Sequence, residues 1–372
     1  MKLCFLAPAN SVHSYRWIKY FADKGHEIIW ASLHPVTVNK IEGVDIRKIV
    51  VPLGSAGAPH AALKLRAIMK TRQPDVLHVH SVALYGVVGA LCGFRPYVAT
   101  AWGSDVLNAS ASWWKRHLVR YALRRASLVT CDAHHMVAAM ERLGIDRRAM
   151  EIIYFGIDTE RFRPAGRGGF QSGDWRDAER PKIISLRSFH PVYDLKSLIE
   201  AASIVVKRVP SARFILAGTG PQEGFLKEMV RSLGLEDSIS FPGPIPNEQL
   251  PALFASMNVY VSTSLSDAGI AASTAEAMAC GLPVVVTDSG ENRLWVQDGR
   301  GGFVVPTGDP ATLAEKIIHL IENGEAREAF GRVNREAIVE RNNYGTEMAK
   351  MEKIYHELAR LRKRPSGSAN RE

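Results

Sequence analysis

The chain has 372 residues, and several things it lacks each remove a class of protein. Its four cysteines, Cys4, Cys92, Cys131 and Cys280, lie far apart and match no metal-type spacing. They are expected as buried thiols in a reducing compartment, so the chain reads as cytoplasmic. No apolar run reaches the roughly 18 residues that a membrane-spanning helix needs. The opening MKLCFLAPANSVHSYRW carries an apolar run of about eight residues with no small-residue cleavage site behind it, which suits a first β-strand better than a leader. LAPANSVHS, after that strand, contains no glycine, so the Gly-x-Gly-x-x-Gly turn of a nicotinamide-dependent dehydrogenase is missing. There is no short-period repeat, no Asp-x-Asp pair and no aromatic–basic motif of the usual nucleic-acid readers. Acidic residues are in deficit, 38 against 47 basic, for a net charge of +9. Such an excess favours acidic partners: nucleic acid, an anionic membrane surface or phosphorylated small molecules. The basic residues are scattered, which argues against nucleic acid.

What is present is a rhythm. Apolar runs of strand length alternate with helical patterns from end to end. In the first half they are Leu3–Pro8, Glu27–Ser32, Ile46–Val51, Val76–His80, Tyr97–Ala101, Leu128–Cys131 and Ile152–Phe155. After RFRPAGRGGFQSGDWRDAERP the series restarts with Lys182–Leu186, Phe214–Ala217, Ile239–Phe241, Val259–Ser262, Pro283–Thr287 and Phe303–Val305. Strand–helix alternation implies right-handed βαβ units and parallel sheets. The expected class is therefore α/β, with two doubly wound Rossmann-like domains facing a cleft lined by the carboxyl ends of both sheets. The boundaries read as a first domain over 1–165, a polar Gly-rich linker over 166–180 and a second domain over 181–343. A terminal helix over 344–362, expected to return to the first domain, precedes a basic disordered tail over 363–372.

One stretch carries chemistry on its face: STSLSDAGIAASTAEAMACGLPVVVTDSG, Ser262 to Gly290. A strand runs into a short turn holding Gly269 and Ile270. Ser273 and Thr274 then open a small-residue helix. Unpaired N–H groups at a helix start, with the positive end of its dipole, suit a diphosphate. Glu276 follows within two turns and can accept two ribose hydroxyls. The bland alternative for this acid is a capping carboxylate.

EAMACGLPVVVTDSGENRLWVQDGRGGFVVPTGDPATLAEKI resembles the donor-site signature of the retaining glycosyltransferases of GT-B architecture, the large family 4 group. HSYRWIKYFADKGHEIIW, DVLHVHS, TAWGSDVL and IIYFGIDTERFRP resemble other family motifs in the right order, so the likeness spans nearly the whole chain. It implies an N-terminal acceptor-binding domain and a C-terminal nucleotide-sugar-binding domain. Glu276 then matches the second glutamate of the Glu-x7-Glu signature, which holds the ribose. The first glutamate falls on Ala268, and either the neighbouring Asp267 serves or the role is missing. Arg187 in ISLRSF matches the cation that neutralises the donor diphosphate. The companion lysine falls where Val192 and Tyr193 stand, with Lys196 the nearest candidate. Gly218 and Gly220 match a turn that approaches the nucleotide, or form an ordinary strand-end turn. In the first domain His13 would face the sugar or acceptor, and Asp105 is retained where Trp102 replaces a histidine. His78 and His80 are expected on opposite sides of a strand, as packing residues and not a metal pair. His134 and His135 open a helix.

The resemblance implies transfer of a sugar from a nucleoside-diphosphate sugar, with retention, to a glycan, lipid-linked or cell-surface polysaccharide acceptor. The missing Asp-x-Asp suits metal-independent catalysis, and no cofactor is called for. A scaffold that binds a sugar nucleotide or partner without turnover is the alternative. SWWKRHLVRYALRR, Ser112–Arg125, reads either as an interfacial helix for an anionic membrane surface or as a helix whose tryptophans pack on their own sheet.

Overall fold

The computed structural model describes residues 1–49, 57–107, 112–164, 180–267 and 269–363. The chain divides into two compact units, Met1–Phe155 with Gly345–Glu372, and Gly156–Tyr344.

In the first unit the order is β1 (Lys2–Leu6), α1 (Val12–Asp23), β2 (Glu27–Ser32), β3 (Asp45–Lys48), α2 (Ala58–Arg72), β4 (Val76–His80), α3 (Leu84–Cys92), β5 (Tyr97–Thr100), α4 (Ser104–Leu107), α5 (Trp113–Arg125), β6 (Leu128–Cys131), α6 (His134–Arg142) and β7 (Met150–Ile152). These strands form a parallel seven-stranded sheet in the order β3-β2-β1-β4-β5-β6-β7. The second unit runs β8 (Lys182–Ser185), α7 (Leu195–Arg208), β9 (Arg213–Leu216), α8 (Glu223–Ser232), β10 (Ile239–Ser240), α9 (Leu250–Ala255), β11 (Val259–Ser262), α10 (Ala272–Ala279), β12 (Val284–Thr287), α11 (Asn292–Trp295), β13 (Gly302–Val305), α12 (Pro310–Glu322) and α13 (Gly324–Arg341). Its parallel sheet has six strands in the order β10-β9-β8-β11-β12-β13. The last helix, α14, spans Tyr344–Lys363.

Central strands such as VLHVH (β4) and VVVT (β12) are buried along their whole length, as strands covered on both faces must be. Some helices, such as α3 and α10, are buried nearly all round, while others bury one stripe. In α7 the buried Leu195, Leu198, Ile199, Ala202 and Val205 follow the helical repeat. Asp194 caps that helix, accepting from the Ser197 N–H and, at 2.6 Å, from its hydroxyl.

The change of unit falls at Gly156, whereas the sequence reading ends the first domain at residue 165. The reason is where the backbone finds partners. The Gly156 and Ile157 N–H groups donate to the side chain and carbonyl of Asn342 at 3.1 and 2.7 Å. The Arg335 guanidinium donates to the Thr159 and Phe162 carbonyls at 2.9 and 2.6 Å. The final strand of the first sheet is likewise Met150–Ile152, not Ile152–Phe155. The Tyr154 N–H turns aside to the Glu347 carboxylate, and the Phe155 ring packs on His13 and Trp102. From Gly345 onward α14 belongs to the first unit, with Met348, Met351 and Tyr355 fully buried. Of the linker expected over 166–180 only Arg180 is described, and the expected tail lies outside the described residues beyond Lys363.

Candidate functional site

The strand order of the second sheet reverses between β8 and β11, so its crevice opens at the carboxyl ends of those two strands. Arg187 follows β8 and Asp267 follows β11. Their side chains meet at 2.5 Å and are almost wholly buried. The Arg187 guanidinium also lies 4.2 Å over the ring of Tyr193. Tyr193 is itself fixed, since the Thr263 hydroxyl donates to its carbonyl at 2.8 Å. An aromatic face thus supports the arginine from the turn where the resemblance places a second cation. Lys196, the substitute expected from the sequence, is 58% exposed in the first turn of α7 and pairs with Glu200 at 3.6 Å. Its only described ion pair is away from Arg187.

The helix α10 opens without a side-chain cap at Ala271 and without an acid in its first turn. The N–H groups of Ala272, Ser273 and Thr274 therefore keep no partner inside the helix. Glu276 is the fifth helical residue, two positions beyond the place of a capping carboxylate. It is 7% exposed, and its charge helps burial push the Cys280 thiol up to about 12. Ser273 shares a 2.7 Å hydrogen bond with the buried Tyr260 hydroxyl. Five buried polar atoms around these strand ends find no hydrogen-bond partner among the described residues: Ser185 Oγ, Arg187 Nε, Asp267 Oδ2, Thr274 Oγ1 and Ser289 Oγ. Orphans of this kind are rare in a folded interior, and these five lie at or just beyond the ends of β8, β11 and β12 and at the start of α10, which makes this crevice the candidate site.

The glycines act by letting backbone approach backbone. A Cβ on Gly218 would lie 2.6 Å from the Arg187 carbonyl oxygen, and one on Gly220 would lie 2.7 Å from the Phe189 carbonyl. Both hold the turn that carries Arg187. Gly290, which no sequence pattern singles out, does the same for the other partner. At φ +55 it lies so close that a Cβ would come 2.6 Å from the Asp267 carbonyl. Gly269 is buried in that loop and Ile270 is half-buried, while Ala268 lies outside the described residues. The roles of Tyr193, Ser185 and Ser289 were also missed. Isolated hydroxyls and rings have no spacing signal until the strands align them.

In the first unit the strand order reverses between β1 and β4. His13, in the first turn of α1, and His80, ending β4, stand at this second crevice. Trp102 joins them. Its ring is 5.4 Å from His13, 5.4 Å from His80 and 5.2 Å from Phe155. Asp105 accepts the Val82 N–H at 2.7 Å and the Trp102 N–H at 3.0 Å, tying together the loops that follow β4 and β5. Burial pushes its carboxyl above the usual range.

The expectation that His78 and His80 face opposite ways is wrong. Residues two apart share a face of a strand, and the two rings lie 4.8 Å apart. Both are buried and neutral. Burial, with each other or His13 nearby, holds His78 well below the ordinary value and His80 at about 3. His78 Nδ1 is 2.5 Å from the Tyr355 hydroxyl and Nε2 is 2.6 Å from the Thr100 hydroxyl, a structural relay and not a metal pair. Among the described residues no cluster of three or more His, Cys, Asp or Glu is arranged for a metal. His134 and His135 begin α6 as expected. All four cysteines are buried thiols. On α5 the tryptophans do not pack on the sheet: Trp113 is 76% and Trp114 45% exposed, and Val119, Ala122 and Leu123 face inward instead. No described helix is long and apolar enough to cross a membrane.

Solved structures share this architecture over nearly the whole chain. Sucrose-phosphate synthase from Thermosynechococcus elongatus superposes with a TM-score of 0.80 at 18% identity, covering 97% of this chain and 100% of that one. The Anabaena protein HepE in complex with UDP gives 0.80 at 20% identity, with 96% and 100% covered. The fold is GT-B, two parallel-sheet α/β domains in one chain. The family described as Glycosyl transferase 4-like matches residues 2–133, and Glycosyl transferases group 1 matches residues 173–337. The chain therefore belongs to the GT-B glycosyltransferases. Among its relatives, N-acetyl-alpha-D-glucosaminyl L-malate synthase of Bacillus anthracis is 23% identical, with 92% of each chain covered. The GDP-mannose-dependent alpha-(1-6)-phosphatidylinositol monomannoside mannosyltransferase of Mycolicibacterium smegmatis is 27% identical, with 73% of each covered.

Proposed function

We propose that this glycosyltransferase moves a sugar from a nucleoside-diphosphate sugar to a glycan, lipid-linked or cell-surface polysaccharide acceptor, with retention and without a metal ion or cofactor. The observation that carries this reading is the second unit's crevice. There, the uncapped start of α10 presents positive potential, and Arg187, though paired with Asp267, keeps an Nε–H without a partner among the described residues. A diphosphate satisfies the helix amides and Arg187 together. Glu276, past the helix start, accepts the ribose hydroxyls. The acceptor hydroxyl attacks the anomeric carbon on the face that the diphosphate leaves, and its proton passes to a leaving phosphate oxygen. Charge that grows on the departing diphosphate is offset by Arg187 and the α10 amides, groups fixed before the reaction starts.

Relatives whose names include GDP-mannose dependence and neighbours solved with UDP or UDP-glucose support a sugar-nucleotide donor. A neighbour described as a lipopolysaccharide outer core galactosyltransferase and a relative acting on phosphatidylinositol monomannoside support a cell-envelope acceptor. The exposed tryptophans and basic residues of α5 suit an anionic membrane surface at the cytoplasmic face. The test is a thermal-shift panel of sugar nucleotides, followed by transfer assays with the stabilising donor in EDTA. Transfer is expected to persist under chelation and to give the donor's anomeric configuration. Activity lost in EDTA and restored by magnesium or manganese would refute the metal-free reading.

A further inference from the structure

A cavity of about 600 Å³ opens in the first unit at the amino-terminal edge of the sheet, and that volume is typical of small-molecule sites. Asp75 lines it immediately before β4. His80 and the first unit's crevice lie at the other end of that strand, about 16 Å along. Arg66, Met69 and Lys70 reach the cavity from α2, where spacings of three and four residues put them on one face. Phe94 lines it from the turn after α3, and Arg362 from the last turn of α14.

Three cations here face one acid, and that acid is engaged: Asp75 accepts the Lys2 N–H at 2.9 Å. The carbonyl ends of helices draw cations, and Arg362 is used in that way. It donates to the Pro74 carbonyl just past α2 and lies 4.6 Å over the Phe94 ring. Arg66 and Lys70 are not so used. Both are exposed, and neither has a hydrogen bond or ion pair among the described residues. An exposed cation pair is ordinarily just solvated, but this one stands at a cavity with an apolar wall of Met69, Cys92 and Phe94. The Arg66 charge is felt at that wall. Burial raises the Cys92 thiol, while the Phe94 N–H and Arg66 oppose the rise.

Charge and size select the ligand. A phosphomonoester carries about −1.5 to −2 at neutral pH, which matches two uncommitted cations one turn apart. A carboxylate brings a single charge and leaves one cation unanswered. A bare phosphate fills a fraction of the space and makes no use of the apolar wall. We propose that this cavity binds a phosphomonoester carried on an apolar body, with the phosphate between Arg66 and Lys70 and the body against Met69 and Phe94. The site is separate from the second unit's crevice and does not rest on the sugar-transfer reading.

Methionine methyl spectra of the full chain test it, with the Met69 signal identified by its loss in Met69→Leu. The probes are phenyl phosphate, inorganic phosphate, phenol, and dihexanoyl phosphatidic acid below its micelle concentration. Movement of the Met69 signal with phenyl phosphate assigns the site to a free phosphomonoester. Movement with the phosphatidic acid alone assigns it to a lipid headgroup. Either supports the proposal. Arg66→Gln combined with Lys70→Gln should weaken the responsive ligand about tenfold or more. Raising the salt concentration should weaken it in the unaltered chain too, which keeps the test intact if the double variant folds poorly. A Met69 signal unmoved by both phosphomonoesters overturns the site. So does a response that neither the double variant nor salt reduces, or binding of phenol as tight as that of phenyl phosphate. Inorganic phosphate bound as tightly as phenyl phosphate overturns the apolar body.

Discussion

Glu276 shows how position decides a residue's role. It stands one turn beyond the α10 N-terminus, so the dipole and the first-turn amides stay clear of the carboxylate, which the proposed function assigns to the ribose hydroxyls. Glu276→Ala should weaken nucleoside diphosphate itself, with no sugar attached, by about 1.5–3 kcal/mol, or roughly ten- to a hundredfold. Calorimetry checks this, and normal nucleotide binding by a folded Glu276→Ala protein would remove the ribose assignment. Asp267 is the useful contrast. It grips Arg187 through one oxygen and leaves the other without a partner among the described residues. In the same calorimeter Asp267→Asn should leave free nucleotide within about threefold of wild type while turnover of the sugar nucleotide falls about tenfold or more. Equal losses in both would mean that Asp267 acts only by setting Arg187.

At the scale of elements, β4 couples packing to pH. Its two histidines are neutral when folded and ordinary when unfolded, near 6.5. Above that value neither state binds the proton and burial of the rings is uncompromised. As pH falls below it the unfolded chain gains protons that the folded chain refuses, down to about 3 for His80. Stability should therefore drop on acidification, by up to about 1.4 kcal/mol per pH unit for each histidine. Urea midpoints measured at successive pH values check the slope, which His80→Gln should reduce. A flat profile between neutral and mildly acid pH would contradict neutral burial. The helix α5 is the other element to which the proposed function gives a role. Anionic vesicles should sediment the protein at low salt, and both added salt and Trp113→Ala combined with Arg116→Glu should release it. Protein that ignores such vesicles at low salt would leave the exposed tryptophans unexplained.

At the scale of the whole molecule, both ends of the chain build the first unit. Trp17 Nε1 donates to the Tyr355 hydroxyl at 3.4 Å, and Tyr355 reaches His78, so α14 is locked to α1 and β4 by buried polar groups. His26 adds a contact to Glu352 at 2.8 Å. Tyr355→Phe leaves two buried nitrogens without their hydroxyl, which should cost the first unit about 1–3 kcal/mol. Removing residues 345–372 should go further: proteolysis is expected to cut within residues 1–155, while calorimetric binding of nucleoside diphosphate to the second unit persists. Loss of nucleotide binding together with the helix would show that the donor site depends on α14.

Apolar runs alone located every strand to within a few residues, because parallel strands buried on both faces leave an unbroken hydrophobic signal. Local chemistry also pointed to the α10 start, whereas Arg187 and Asp267 were singled out by the family resemblance. What sequence could not decide was whatever depends on residues far apart meeting. Tyr193 under Arg187, the close approach of Gly290 to Asp267, and Ser185 with Ser289 at one crevice follow from strand order, which has no local code. The second unit begins at Gly156 because Asn342 and Arg335, nearly two hundred residues on, satisfy its backbone. Trp102 looked in sequence like a lost histidine. Only the sheet's reversal between β1 and β4 sets it beside His13, His80 and Phe155, because topology determines which strand ends share a crevice.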